Sequence, residues 1–291
     1  MLNHWDLCSG IGGFAFAFET IGLSRPTLFC DIEPWCREVL RKHWPDVPIC
    51  NDIKEIANDP DRFISGRVDI LTSGFPCQPW SVSGKSKNLQ QAKEDPRHIW
   101  PWIVDIIAQK RPKYLIFENV PNLAGLGGLD EVLVDLANQD YAASTFSISA
   151  YAAAGAPHKR ERLWIYATNV ADTDNEGSQG RLSGGQSKEW QSELGYSGRS
   201  SSAHRQPEKD YGSTRSEFCS MADGIPSGMG RFGEHEGWEK EPEGMTRVAV
   251  GVPDRVSKLK GLGNAILPQI AQKIGETILK LESLNEKKNK D

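Results

Sequence analysis

The first half of this 291-residue chain repeats one device: a short apolar run that stops at a polar or glycine-rich tip. The runs are Leu2–Leu7, Pro26–Cys30, Val47–Cys50, Val68–Thr72 and Lys113–Val120. Brief runs of this kind, bounded by turn residues, read as buried strands. Between them lie stretches of helical spacing: one through Ile21, one from Pro34 to His43, and one from Gly128 to Asn138. Another starts at Asp95-Pro96-Arg97 and carries Ile99, Ile103, Ile106 and Ile107 on an apolar face, with Trp100 and Trp102 read as packing residues. Two further strands are expected at Thr145–Ala150 and Arg162–Ala167, and a last helix from Ile270 to about Leu284. Strands alternating with helices specify an α/β fold. In open α/β sheets, ligands bind at the carboxyl ends of the strands, so the tips are where chemistry is expected.

The tip that stands out is Gly74-Phe75-Pro76-Cys77-Gln78-Pro79-Trp80-Ser81. Its glycine and prolines turn the chain out of the preceding strand and leave Cys77 on the turn. Exposure and nearby amide dipoles favour the thiolate, which is the nucleophilic form of cysteine. A small residue filling a tight turn is the bland reading. A second tip, Glu118-Asn119-Val120, sets a carboxyl where it could face the same cleft. The first tip, Asp6 to Phe14, includes Cys8, Gly10, Gly12 and Gly13 between a strand and a helix. Glycines there let a ligand approach the backbone and the helix amino terminus, although an ordinary tight turn explains them as well. Asp31-Ile32-Glu33 ends the second strand, where nucleotide folds hold ribose hydroxyls, or where Glu33 or Asp31 would cap the following helix. Asn51-Asp52-Ile53 ends the third.

The stretch from Gly74 to Ser81, followed by Glu118-Asn119-Val120, resembles the catalytic core of the C5-cytosine DNA methyltransferases. The resemblance covers roughly residues 2 to 167 and 255 to 275. It implies a class I methyltransferase (Rossmann-like) mixed sheet flanked by helices, with a small irregular target-recognition domain. Residues 1–168 would form the catalytic and cofactor-binding domain, 169–247 the target-recognition region, and 248–291 a segment packing back on the first. S-adenosylmethionine would be the cofactor. Asp6, Cys8, Gly10, Gly12 and Gly13 would face its methionine part, Glu33 its ribose, and Asp52 with Ile53 its adenine. Pro76 and Asn264 would also contact it. Cys77 would be the nucleophile, Glu118 the acid at ring N3, Arg162 the partner of the ring carbonyl and Arg160 an orienting residue. The family more often has phenylalanine where this chain has Cys8, and glutamine where it has His158 ahead of Arg160 and Arg162.

Under the same resemblance the substrate is double-stranded DNA, with the target base flipped out of the stack. The polar segment after Ser81, Val82 to Lys93, reads as a solvated loop or as a mobile lid over the substrate, with Lys85, Lys87 and Lys93 on phosphates and Ser81, Ser83 and Arg97 also on the DNA. Methylation of transfer RNA by the same chemistry, and a non-catalytic DNA-binding module on the same fold, are the alternatives. A nicotinamide dehydrogenase fits poorly, because Gly-x-Gly-Gly is not the dinucleotide spacing.

The net charge of −5 is the wrong sign for an indiscriminate nucleic-acid binder. Charge is local, however: Lys85 to Lys113 holds seven basic residues against three acidic. From Asn169 to Gly244 the chain is rich in Gly, Ser, Glu and Arg and poor in aliphatics, too polar for a large core of its own. Arg181, Arg199, Arg205, Arg215 and Arg231 alternate there with aromatics, and arginine suits bidentate contact with guanine edges. Cys8, Cys30, Cys36, Cys50, Cys77 and Cys219 show neither metal spacing nor a disulfide framework. A reducing cytoplasm fits them, with no structural metal and no membrane or signal segment. The chain is expected to act as a monomer, with any cognate restriction endonuclease acting separately.

Overall fold

The computed structural model describes residues 1–63, 66–76, 89–125, 127–154, 160–170 and 255–288. In chain order these form β1 (Leu2–Leu7), α1 (Gly13–Thr20), β2 (Ser24–Cys30), α2 (Pro34–His43), β3 (Ile49–Cys50) and α3 (Ile53–Asn58). There follow β4 (Ile70–Ser73), α4 (Leu89–Lys93), α5 (Trp100–Lys110), β5 (Tyr114–Asn119), α6 (Asn122–Gly125) and α7 (Gly128–Asn138). The remainder is β6 (Tyr141–Ser149), α8 (Ala150–Ala154), β7 (Glu161–Asn169), α9 (Arg255–Asn264) and α10 (Pro268–Lys288).

The strands make one seven-stranded sheet in the order β3-β2-β1-β4-β5-β7-β6. The first five are parallel, and β7 runs antiparallel to both of its neighbours. This is the mixed sheet with flanking helices that the sequence implies. Strand order reverses between β1 and β4, so the crevice for a ligand opens there. The reversed β7 has a second effect: its start, not its end, lies at the carboxyl edge of the parallel strands. Glu118 pairs in register with Trp164, and Asn119 with Leu163.

Alternate residues of each strand feed opposite cores, as the period of two requires. Leu115 and Phe117 of β5 join Ile103, Ile106 and Ile107 of α5 on one face. Tyr114 and Ile116 join Phe14 and Phe18 of α1, and Ile270, Ile274 and Ile278 of α10, on the other. Trp100 is buried and donates its indole N–H to Asp135 at 2.9 Å, a packing role as expected.

Several element bounds differ from the sequence expectation. The helix expected from Asp95 begins at Trp100. Asp95 instead accepts the Arg97 N–H and binds its guanidinium, closing a local turn that competes with helix. β3 begins at Ile49 rather than Val47, since Pro48 has no N–H for a ladder. β6 starts four residues earlier than Thr145, through an alanine- and serine-rich run without strand propensity. The Asn51-Asp52-Ile53 tip turns directly into α3, with Asp52 as its cap.

Candidate active site

A cavity of about 540 Å³ opens at the carboxyl edge of the sheet, in the range of small-ligand pockets. Residues after β1, β2, β3, β4 and β5 line it, together with Arg162 from the start of β7. Ser257, Lys260, Gly261 and Asn264 of α9, with Ala265 and Ile266, close its remaining side.

The loop after β1 is tightly wound: Cys8, Gly10 and Gly12 have φ of 51°, 54° and 83°. Ser9 Oγ–H donates to the Asp6 carbonyl, and its oxygen accepts from Cys30 N–H at 3.2 Å, tying the loop to β1 and β2. Gly10 N–H donates to Asp31 Oδ2 at 2.7 Å, and a Cβ at Gly10 would meet nothing within 4 Å. The glycines therefore divide by role. Gly10 presents open backbone to the cavity. Gly12 makes room for Trp44, whose ring would lie 2.5 Å from a Cβ, and does not line the cavity. Gly13 lines the cavity and admits Ile266.

Asp6 likewise lies behind the cavity rather than in its wall. It is fully buried, and Thr72 Oγ1 donates to its Oδ1 at 2.7 Å. With the Thr72 proton used there, its oxygen accepts from His4 Nε2–H at 2.8 Å. Burial raises the Asp6 carboxyl well above the usual carboxylate range and lowers His4 to about 3. A cofactor contact for Asp6 and Gly12 thus does not follow from the geometry. Both support the loop that lines the site.

Cys8 does line the cavity, and burial pushes its thiol up to about 12, so it is an inert apolar surface at neutral pH. Asp31 does more than cap a helix. Its carboxylate accepts from Gly10 N–H and, through Oδ1, from Glu33 N–H at 2.8 Å, joining two tips. Glu33 occupies the cap position of α2 but makes no cap bond through its side chain. Its carboxylate pairs with Lys260 of α9. Asp52 caps α3 by accepting from Lys54 N–H, and with Ile53 and Pro76 it lines the cavity.

Also on the cavity wall, Arg162 Nε donates to Glu118 Oε1 at 2.9 Å. Glu118 is 7% exposed, and burial pushes its carboxyl up to about 7 despite the pull of Arg162 and Arg160. Arg160 Nη2 donates to the Ala265 carbonyl and does not itself line the cavity. No spacing in the sequence announces the role of Asn119. Its Nδ2 donates to the Phe75 carbonyl at 3.2 Å, clamping the chain just after β4. Arg97 lines the opposite rim, engaged with Asp95. Cys77, Ser81, Ser83, Lys85, Lys87, His158 and the insert arginines lie outside the described residues. Lys260 and Trp35 were not singled out in the sequence, and no motif announces their pairing partners.

Residues 2–214 match the family model "C-5 cytosine-specific DNA methylase". The chain is 34% identical over 180 residues to the Type II methyltransferase M.AluI of Cellulosimicrobium cellulans, covering 57% of this chain and 33% of that one. It is 32% identical over 169 residues to M.HhaI of Haemophilus parahaemolyticus, covering 56% and 48% respectively. Among solved structures it resembles the S. pombe Dnmt2 methyltransferase at 21% identity, with a TM-score of 0.46, over 63% of this chain and 58% of that one. The chain spans between about a fifth and a half of the length of these curated relatives.

Proposed function

This chain belongs to the C-5 cytosine-specific DNA methylase family, and from that premise we propose that it methylates carbon 5 of cytosine in a specific duplex DNA sequence. The observation that carries the reading is the Glu118–Arg162 pair. A carboxyl pushed up to about 7, held by a guanidinium, flanks the turn that leads into Cys77.

In this reading the Cys77 thiolate adds to carbon 6 of the ring. Glu118, protonated in its buried site, donates to ring N3 and so accommodates the added electron density. Arg162 directs a guanidinium N–H to the ring carbonyl, and Arg160 holds the backbone at Ala265 against the site. Carbon 5, so activated, attacks the methyl group that S-adenosylmethionine would supply, and loss of the carbon-5 proton, return of the N3 proton to Glu118 and expulsion of Cys77 then restore the aromatic ring. Reaching the ring requires the base to leave the stack, at a cost of a few kcal/mol.

The donor set suits S-adenosylmethionine, which would supply an electrophilic methyl group. Glu33 offers carboxylate oxygens to ribose hydroxyls. Ile32, Trp35 and Ile53 offer apolar surface to a purine, and Gly10 offers unobstructed backbone. Action as a monomer, apart from any cognate restriction endonuclease, belongs to the same proposal. Residues 169–247 would read the DNA sequence, and the catalytic residues named above lie outside that range. Among the described residues no helix is long and apolar enough to cross a membrane. The reading is tested by incubating the full chain with radiolabelled S-adenosylmethionine and either duplex DNA or transfer RNA. Label on carbon 5 of cytosine in DNA supports it, and label confined to transfer RNA overturns the substrate assignment.

A further inference from the structure

We propose that Lys260 is a positioning residue for the ribose end of the cofactor, holding the Glu33 carboxylate and α9 to each other across the rim of the cavity. The inference rests on the cofactor reading above.

Two adjacent residues of α9 engage two near-adjacent residues of the β2–α2 tip. Lys260 pairs with Glu33 Oε1, and Gly261 lies against Trp35. A Cβ on Gly261 would stand 2.3 Å from the Trp35 ring, so the helix backbone rests directly on that indole. The stack fixes where Lys260 emerges, and the lysine then reaches the carboxylate. Glu33, Trp35, Lys260 and Gly261 all line the cavity.

The alternative is that the ammonium competes with the ribose for Glu33. Acceptor capacity argues against competition. An ionised carboxylate has about four lone-pair sites on two oxygens. One ammonium on Oε1 leaves Oε2 and part of Oε1 for a diol. The ammonium also limits the rotamers of the carboxylate, which lowers the ordering cost of binding. Because Lys260 and Glu33 have side-chain exposures of 52% and 42%, the pair is screened and its effect modest.

The test is calorimetric titration of S-adenosylmethionine into the full chain and its variants. Lys260→Met keeps most of the aliphatic stem and removes the charge. It is expected to weaken binding by roughly three- to fivefold, the range of a half-exposed pair, with an unchanged melting temperature. Lys260→Arg should restore affinity to within about twofold. The double variant Glu33→Gln/Lys260→Met should bind no worse than Glu33→Gln alone, because the lysine acts through that carboxylate. A helix-packing role would instead give additive losses. Unchanged or tighter binding by Lys260→Met, or additive losses in the double variant, overturns the proposal while the cofactor reading stands. Absence of binding by the unaltered chain overturns the cofactor reading itself.

Discussion

Arg162 and Glu118 face each other from antiparallel strands, joined Nε to Oε1 at 2.9 Å, with opposing demands on the carboxyl proton. The guanidinium favours the carboxylate, and burial favours the neutral acid. Burial is the larger influence, and the balance lies at about 7, above the ordinary 4.5. A group so balanced can hold a proton near neutral pH and give it up, as a general acid requires.

The same balance has a cost in stability. The folded protein retains a proton on Glu118 up to about pH 7, whereas the unfolded chain releases it near 4.5. The stabilisation is complete below 4.5 and is lost as pH rises through 7. Between about pH 5 and 7 the loss is on the order of 2 kcal/mol. Glu118→Gln removes it, so the variant's stability relative to the unaltered chain should rise by about that amount over this interval. Urea unfolding at the two pH values measures the difference, and a constant difference contradicts it.

His4 should tilt the other way. Its folded pKa is about 3 against 6.5 when exposed, so the unfolded chain binds the extra proton between those values. Stability from neutral His4 is therefore present above 6.5 and declines as pH falls toward 3. In His4→Gln that decline is absent, and its stability relative to the unaltered chain should improve by about 2 kcal/mol from pH 7 down to 5. The same unfolding series reads it. A variant that parallels the unaltered chain would show that His4 takes up a proton in the fold.

The nucleophile assignment predicts that Cys77→Ser loses turnover by more than about a thousandfold while cofactor affinity stays nearly the same. Duplex DNA carrying 5-fluorocytosine at the target should trap the unaltered chain, because fluorine cannot leave carbon 5 as a proton does. A denaturing gel shows the adduct as a shifted band that Cys77→Ser lacks. Turnover within tenfold of the unaltered chain would remove Cys77 from the mechanism.

Glu33→Ala should weaken S-adenosylmethionine binding by roughly tenfold or more, the worth of hydrogen bonds to a charged acceptor. The fold should persist, since the Glu33 side chain makes no cap bond. Calorimetry with circular dichroism separates the two effects.

Gly12 and Gly22 both have positive φ, 83° and 70°, but only Gly12 is crowded. Gly22→Ala should cost about 1 kcal/mol of backbone strain. Gly12→Ala adds an overlap with the Trp44 ring and should cost at least about 1 kcal/mol more. Equal losses in chemical denaturation would mean that Trp44 moves aside freely.

The alternation of apolar runs and helical spacing made the sheet legible, because buried parallel strands need continuous apolar stretches. The glycine loop and the acidic tips were legible for the same reason: they stand where strands end. What could not be read was which glycine serves packing. Gly12 answers to Trp44, and Gly13 to Ile266, through contacts that sequence spacing does not encode. Asp31 was legible as a cap but not as the acceptor of Gly10 N–H, since that bond spans two tips. The first residues of β6 were not legible, because Ala142, Ala143 and Ser144 have little strand preference alone; their pairing with β7 supplies it.

The wall formed by α9 and Ile266 ties the end of the chain to its beginning. Ile266 fills the space left by Gly13, Lys260 meets Glu33, and Ala265 receives Arg160. Without residues 255–266 the carboxyl edge of the sheet would be an open trough, and with them it is a cleft. The segment thus acts as a keystone: one stretch, distant in sequence from every strand it touches, sets whether the first three strand tips face solvent or a shared enclosure.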